Sequence, residues 1–499
     1  MPKFNLIEEA WIPVRDDGRV REVSLRDALV HAHEYERIED PSPLVEVALL
    51  RVLLAVLHRA FEGPANEDEL VDLFEAGRFP EDQIDAYLDR FHDRFWLIHD
   101  EAPFWQVSDL SEDDPLPWTK LLPEYASGNN PTLFSHASDD TPPPASYAEA
   151  ARALVAHQTF TPGGLLRRLG VGSAVAAPLA TAAAFVATGK NLFDTLVFSL
   201  GVYTPEHDRP VWEEEPLRSH DIAAAKDGKP RARWPLAGRT RIYTWPSRGV
   251  RLLPEGELVY FIAYGPGVHP QGSEPPPEDP LLALAVNPQK KTLSAVRLRE
   301  DRAFWRDFTA LFPKPEHGSP PRTLETAYEL VGDRYDSIAL AVAGQVTNQA
   351  KVLEIRREHY PLPAKVDENV LPGHIENALT YVEDIAGCLR KAIWVLSMRI
   401  LSETRDPDQN DVRNVQQSLP ALPSYYHMLG NEFPAFLLEL NVSATNALAR
   451  WRKTTRQAAL GSWILTRNSV GTEPRMLKAL QHGERSLSAC LRKLEEKHE

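Results

Sequence analysis

Between residues 371 and 403 the apolar positions Ile375, Leu379, Val382, Ala386, Leu389, Ile393, Leu396 and Ile400 return at alternating steps of four and three. That is the period of one long helix with a single apolar seam. A lone seam cannot bury itself, so it needs partner helices. Met476, Leu477, Leu480, Leu487, Leu491 and Leu494 offer one, with Thr472 as N-cap and Pro474 in the first turn. The last third of the chain is expected to be a helical bundle.

Upstream the pattern is mixed. Strand-like runs at 10–14 and 20–23 flank Asp16-Asp17-Gly18, a hairpin signal. Helical spacing follows at 44–61, 66–76, 82–94 and 147–158, and the small-residue stretch 171–202 reads as core helices. Strands are expected at 240–244, 249–253 and 258–264, separated by turn residues and the Pro-rich run 265–280. A helix at 324–331, a short buried strand at 338–342 and a charged segment at 351–360 lead to Tyr360-Pro361-Leu362-Pro363, a natural boundary before the bundle. The fold class is α+β, with no solenoid repeat.

Charge sharpens this division. The chain of 499 residues carries a formal charge of −16. Residues 441–499 hold eleven Lys/Arg against five Glu, a net of +6, which leaves −22 for the first 440 residues. At helical spacing of three, Arg450, Lys453 and Arg456 share a face that a phosphate backbone could follow, although a solvated bundle face would look the same. With 43% hydrophobic residues the chain can build sizeable cores. Its two cysteines, Cys388 and Cys490, fall at apolar positions of the expected bundle helices and read as buried thiols of a reducing compartment. Glu8 and Glu9 interrupt any export signal, and charges interrupt the most apolar stretches, so the expected address is the cytoplasm without membrane attachment. Many prolines with little Met or Cys suit a heat-tolerant source.

Candidate chemistry is sparse. A phosphate-binding loop would need Lys-Ser or Lys-Thr, but Gly189-Lys190 is followed by Asn191. The dipeptides His92-Asp93, His99-Asp100, His207-Asp208 and His220-Asp221 could seed a metal-dependent nuclease or phosphohydrolase, because imidazole and carboxylate both bind divalent ions. That is the alternative reading, and such short pairs also arise by chance. Thr161-Pro162-Gly163-Gly164 permits close backbone approach, or is an ordinary turn before a helix at Leu165. The polar run 344–350 ends in Asn348-Gln349-Ala350, residue types that can read minor-groove acceptors or wedge between base pairs, or simply form a solvated loop.

In this order the pieces resemble one family, the CasA-type large subunit of the type I-E CRISPR surveillance complex, Cascade. The resemblance spans the chain: Phe4-Asn5-Leu6 with Trp11-Ile12-Pro13-Val14, the helix ending LHRAF-x-GP, and FWLIHDEAPFWQ at 95–106. It implies a mixed N-terminal α/β domain (1–362) followed by a C-terminal four-helix bundle (363–499), no catalytic centre, no cofactor and no structural metal. It also implies a role: reading the protospacer-adjacent motif in double-stranded DNA from the minor groove, then helping to open the duplex for guide pairing and R-loop formation. Implied partners are the backbone, guide-handle-binding and small subunits of the complex, CRISPR RNA, target double-stranded DNA and a helicase-nuclease. By position, the family's glycine loop falls on Gly163 and Gly164. Its Asn-Gln-Ala wedge falls on Asn348, Gln349 and Ala350, with Gln349 inserted under the motif and a charged helix following. The RNA-proximal loop falls on 127–144 with Phe134, Ser135 and His136 at its tripeptide, and the minor-groove cation on Arg239 or Arg241. Arg450, Lys453 and Arg456 would lie along DNA.

Overall fold

Asp17 and Gly18, both at positive φ, close a two-residue turn between strands β1 (Ile12–Asp16) and β2 (Arg19–Val23). Helix α1 (Pro43–Phe61) follows, with Pro43 in its first turn. It is apolar almost all round and buried along nearly its whole length, Arg51 and His58 included. Helix α2 (Tyr147–Phe160) packs on α1 and starts from a capping box, in which Ser146 and Glu149 satisfy each other's backbone amides. The described residues, in a computed structural model of the chain, are 2–125, 141–272, 278–287, 291–348, 350–366, 370–402 and 407–498.

Past α2 the structure departs from the sequence-based reading. The chain enters a strand hairpin, β3 (Gly164–Arg168) and β4 (Val171–Ala174), where a helix was expected from Leu165. The stretch 171–202 holds a single helix, α3 (Leu192–Leu200), preceded by strand β5 (Ala183–Thr188). Residues 240–244, expected as a strand, lie in or beside the short helix α4 (Arg239–Tyr243), because the buried Asp208 carboxylate accepts from the Thr240 and Arg241 amides at 2.8 and 2.9 Å. The expected strands at 249–253 and 258–264 form one antiparallel pair, β6 (Arg248–Glu255) with β7 (Leu258–Pro266).

The supposed short strand at 338–342 is the long β8 (Ser337–Asn348), and the charged segment after the Asn-Gln-Ala triplet is β9 (Lys351–Pro363), not a helix. These strands form a three-stranded sheet in the order β5-β8-β9, with β5 antiparallel to β8 from Ala183 opposite Gly344 to Thr188 opposite Ala339. Running beyond β5, the end of β8 and the start of β9 project as an arm.

Two compact units result. The first comprises Met1–Phe304, Pro313–Val331 and Ile338–His359; the second comprises Trp305–Phe312, Gly332–Ser337 and Tyr360–Glu499. Helices α5 (Leu371–Leu401), α6 (Gln409–Ser418), α7 (Ala421–Leu440), α8 (Ala444–Ser469) and α9 (Pro474–His498) make the second unit, where α5, α7, α8 and α9 form a four-helix bundle and α6 flanks α5. The seam of α5 faces inward: Ile375, Leu379, Val382, Ala386, Leu389, Ile393 and Leu396 are buried. Trp305, Phe433, Phe436 and Trp451 pack within the same unit, with ring centroids 4.9 Å apart for Phe436 and Trp451.

Cys388 and Cys490 are not free thiols. They form a disulfide between α5 and α9, whose antiparallel packing sets Ala392 beside Gly483 and the two cysteine Cα atoms 5.6 Å apart. Within the described residues no helix is long and apolar enough to cross a membrane.

Candidate functional site

Helix α2 ends under tight control. The buried side chain of Gln345, from β8, donates to the carbonyls of Phe160 and Ala180, each at 2.7 Å, and so clamps the helix terminus. Beyond it, the turn 161–164 is drawn inward by Arg248. This buried guanidinium donates to the Pro162 carbonyl at 2.6 Å and the Val175 carbonyl at 2.8 Å, while the Arg248 main chain exchanges two hydrogen bonds with the Gln158 amide. Carbonyls partly withdrawn from water are costly to leave unpaired, so one arginine helps to fix the path of the turn.

That path leaves no room for a side chain at Gly163 and little at Gly164. A Cβ on Gly163 would stand 2.8 Å from the Ala176 nitrogen, and one on Gly164 would stand 3.1 Å from the Ala350 Cβ. The arm of β8 and β9 therefore ends directly against the glycine turn. Together they border a cavity of about 480 Å³, to which Gly163, Gly164, Asn348, Ala350 and Lys351 all contribute.

The cavity wall is partly polar. His157 has its Nδ1 3.0 Å from the Leu121 carbonyl and its Nε2 2.9 Å from the Tyr264 hydroxyl. A carbonyl only accepts, so Nδ1 carries the proton and Nε2 takes the tyrosine hydrogen. Burial first, and the Arg248 charge second, pull this imidazole down to about 3, so it is neutral at pH 7. Gln345 Oε1 is buried without a hydrogen-bond partner among the described residues, whereas Lys120 and Lys351 bring positive charge to the lining.

The other sequence candidates lie elsewhere. Arg241 is buried, pairs with Glu214 and sits 5.2 Å over the Trp234 ring, while Arg239 donates to the carbonyls of Leu200 (2.7 Å) and Glu278 (3.3 Å). Neither lines the cavity, and Arg241 is buried. In the bundle, Arg450 lies 3.5 Å from Glu439, Arg456 pairs with Glu495, and Lys453 is exposed on the same side of α8. Gln349, Phe134, Ser135 and His136 lie outside the described residues.

The His-Asp dipeptides serve local structure. His99 Nδ1 accepts the Glu101 and Ala102 amides, Asp208 caps α4, and His92 and His220 face their neighbouring aspartates at 3.4 and 3.9 Å. Among the described residues no group of three or more His, Cys, Asp or Glu is placed to hold a metal ion.

Sequence reasoning missed Arg248, Gln345 and His157, which build the site from beneath. Gln345 stood inside the polar run 344–350 and could have been noticed there. An arginine just ahead of an expected strand gives no sign that it will be buried.

Comparison with known proteins gives the family. Residues 5–462 match the profile described as CRISPR-associated protein Cse1. A CRISPR-associated protein CasA/Cse1 from Thermus thermophilus is 48% identical over 506 residues, covering 99% of each chain. The solved Thermus thermophilus CasA (Cse1) structure superposes with a TM-score of 0.88 at 46% identity, over 99% of this chain and 100% of that one. One chain of a CRISPR RNA-guided surveillance complex has the same fold, with a TM-score of 0.72 at 20% identity over 98% of this chain and 100% of its own. With a profile match over residues 5–462 and a relative aligned along nearly its whole length, this chain belongs to the CRISPR-associated Cse1 (CasA) family.

Proposed function

We propose that the chain is the non-catalytic large subunit of an RNA-guided CRISPR surveillance complex. In this reading it inspects double-stranded DNA for a short motif beside the target and helps to open the duplex. The observation that carries it is the apposition of Gly164 and Ala350, which brings two small-residue backbone segments to one edge beside Asn348. Bare main chain can approach a groove more closely than any side chain. A minor groove offers only coarse sequence information, which suffices for a first check before guide pairing supplies specificity. Membership of the Cse1 family supports the reading, as does the shared fold with a chain of a surveillance complex.

Gln349, between Asn348 and Ala350, is the proposed wedge beneath the motif, and Lys351 is the cation nearest to it along the chain. Unstacking a base step costs a few kcal/mol, offset by phosphate contacts and by the heteroduplex that forms. CRISPR RNA, the other subunits of the complex and a helicase-nuclease are the partners this role requires.

The experiment is duplex opening by the reconstituted complex, with Gln349→Ala compared with wild type on matched DNA that has or lacks a permissive motif. A loss of about tenfold or more on intact duplex, with binding to a pre-opened bubble preserved, supports the wedge. Equal binding with and without this chain removes the recognition reading.

A further inference from the structure

The cavity beside the glycine turn has walls from distant parts of the sequence: Leu44 on α1, residues 120–125, the end of α2, and the start of β9 at Lys351 and Val352. Their polar ties converge on one place, the N-terminus of α1. Ser42 makes no side-chain cap to its own helix; its hydroxyl donates to Glu124, tying down the segment 120–125. Asp40 accepts the Ser42 amide at 2.9 Å and lies 3.4 Å from Arg152 of α2. Glu46 reaches back to the Asp40 amide at 2.9 Å.

The fourth tie comes from β9. One Arg357 nitrogen, Nη2, lies 3.1 Å from the Glu46 carboxylate and donates to the Asp40 carbonyl at 2.7 Å. Its neighbours on the strand point to the opposite face, where Arg356 donates to the carbonyls of Arg299 (3.1 Å) and Arg302 (2.8 Å) and Glu358 accepts the Phe304 amide (3.0 Å). The strand is thus pinned from both sides at 356–358. Arg357 stands six residues from Lys351, a lever of roughly 20 Å along an extended strand. Since β9 is the outer strand of its sheet, a tilt at Arg357 is carried along the arm to its turn.

We propose that Glu46 and Arg357 are positioning residues for the DNA-reading edge: their ion pair fixes β9 against α1 and thereby sets where Asn348, Ala350 and Lys351 stand relative to Gly164. The proposal rests on the reading above, that this edge reads DNA. The ion pair lies back from the edge itself, six residues along β9 from Lys351. It is half-buried, so it is less screened than a surface pair and less costly to desolvate than a fully buried one.

The experiment uses the full chain in the reconstituted complex, with Glu46→Gln, Arg357→Gln, the double variant and Arg357→Lys, each measured on intact motif-bearing duplex and on a pre-opened bubble. Each single variant is expected to weaken duplex opening by about tenfold while bubble binding changes by less than about twofold, and the double variant falls no further. Arg357→Lys, which keeps the charge, recovers part of the loss. Duplex and bubble binding falling together, or additive single effects, would mean that the pair only supports the fold, and the proposal is overturned. Gln349→Ala is run alongside. If it impairs opening while the Arg357 variants do not, this inference alone fails; if it too is without effect, the DNA-reading role falls and takes this inference with it.

Discussion

Gly164 and Ala350 meet so closely that a methyl group on the glycine would stand 3.1 Å from the alanine Cβ, although the two residues are far apart in sequence. The contact is between an alanine methyl and bare backbone, so it can be exchanged. Gly164→Ala should push the turn away and weaken binding to motif-bearing duplex several-fold, and the double variant Gly164→Ala/Ala350→Gly should restore it. Gly163→Ala should do more damage, because its Cβ would meet the Ala176 backbone nitrogen at 2.8 Å and main chain yields less readily than a methyl group. Affinity measured on the reconstituted complex checks the order, and a double variant no better than Gly164→Ala would remove the contact from the account.

Two buried histidines make the first unit acid-sensitive. Burial, with the Arg239 charge behind it, pulls His58 down to about 3, and burial with the Arg248 charge does the same for His157. An unfolded histidine titrates near 6.5, so between that pH and about 3 the unfolded chain binds more protons and stability falls as pH falls. Each should cost about 2 kcal/mol at pH 5. Glu46, pushed up to about 7 chiefly by burial, has the opposite sign, since stability is lost as pH rises from about 4.5 to 7; its contact with Arg357 is a full ion pair only above that pH, so the duplex-opening comparison of the Glu46 and Arg357 variants belongs at about pH 8. Comparing wild type with His157→Gln isolates one histidine. Their unfolding free energies should diverge by about 2 kcal/mol between pH 7 and 5 in denaturant titrations, and parallel profiles would refute the assignment.

How much of this was legible depended on how local the deciding interactions are. The α5 seam announces itself, because every residue that defines it lies on the same helix, and the α+β division followed from it. Residues 240–244 were misread as a strand because the group that turns them into a helix is Asp208, a cap more than thirty residues upstream. The run 344–350 looked like a solvated loop because Gln345 is polar, yet its amide is spent inside on Phe160 and Ala180. Charge likewise hid β9, whose arginines and glutamates reach out from a strand edge to main-chain partners on both faces. The glycine pair and the Asn-Gln-Ala triplet could be found in the sequence as candidates. Their meeting at one edge could not, since it depends on Arg248 and on the long pairing of β5 with β8.

Arg51 and Asp279 are a second long-range dependence inside the first unit. The guanidinium is wholly buried, 2.9 Å from the carboxylate, 3.0 Å from the Ile242 carbonyl and 4.7 Å over the Tyr243 ring. Removing only the cation leaves a buried carboxylate without its partner, so Arg51→Met should destabilise the fold by about 3–5 kcal/mol. Replacing both residues, Arg51→Met with Asp279→Leu, should cost markedly less than Arg51→Met alone. Equal losses in chemical denaturation would show that the pair is not coupled.

The disulfide between Cys388 and Cys490 fastens the last helix of the bundle to the first, closing a loop over a sequence separation of 102 residues. A cross-link of that span removes much of the freedom of the unfolded chain, and native disulfides typically contribute about 2–4 kcal/mol. Reduction should therefore lower the melting temperature of the second unit, and Cys388→Ala should melt at the reduced value with or without dithiothreitol. Helix α9 also buries Leu480, Leu487 and Leu491, so the reduced bundle should remain folded at room temperature with its far-ultraviolet signal intact. Thiol titration of the denatured chain gives the direct check. No reactive thiol is expected before reduction and two after it; two titrating without reductant would show that the cysteines stand unpaired in this bundle, and the predicted drop in melting temperature would go with them.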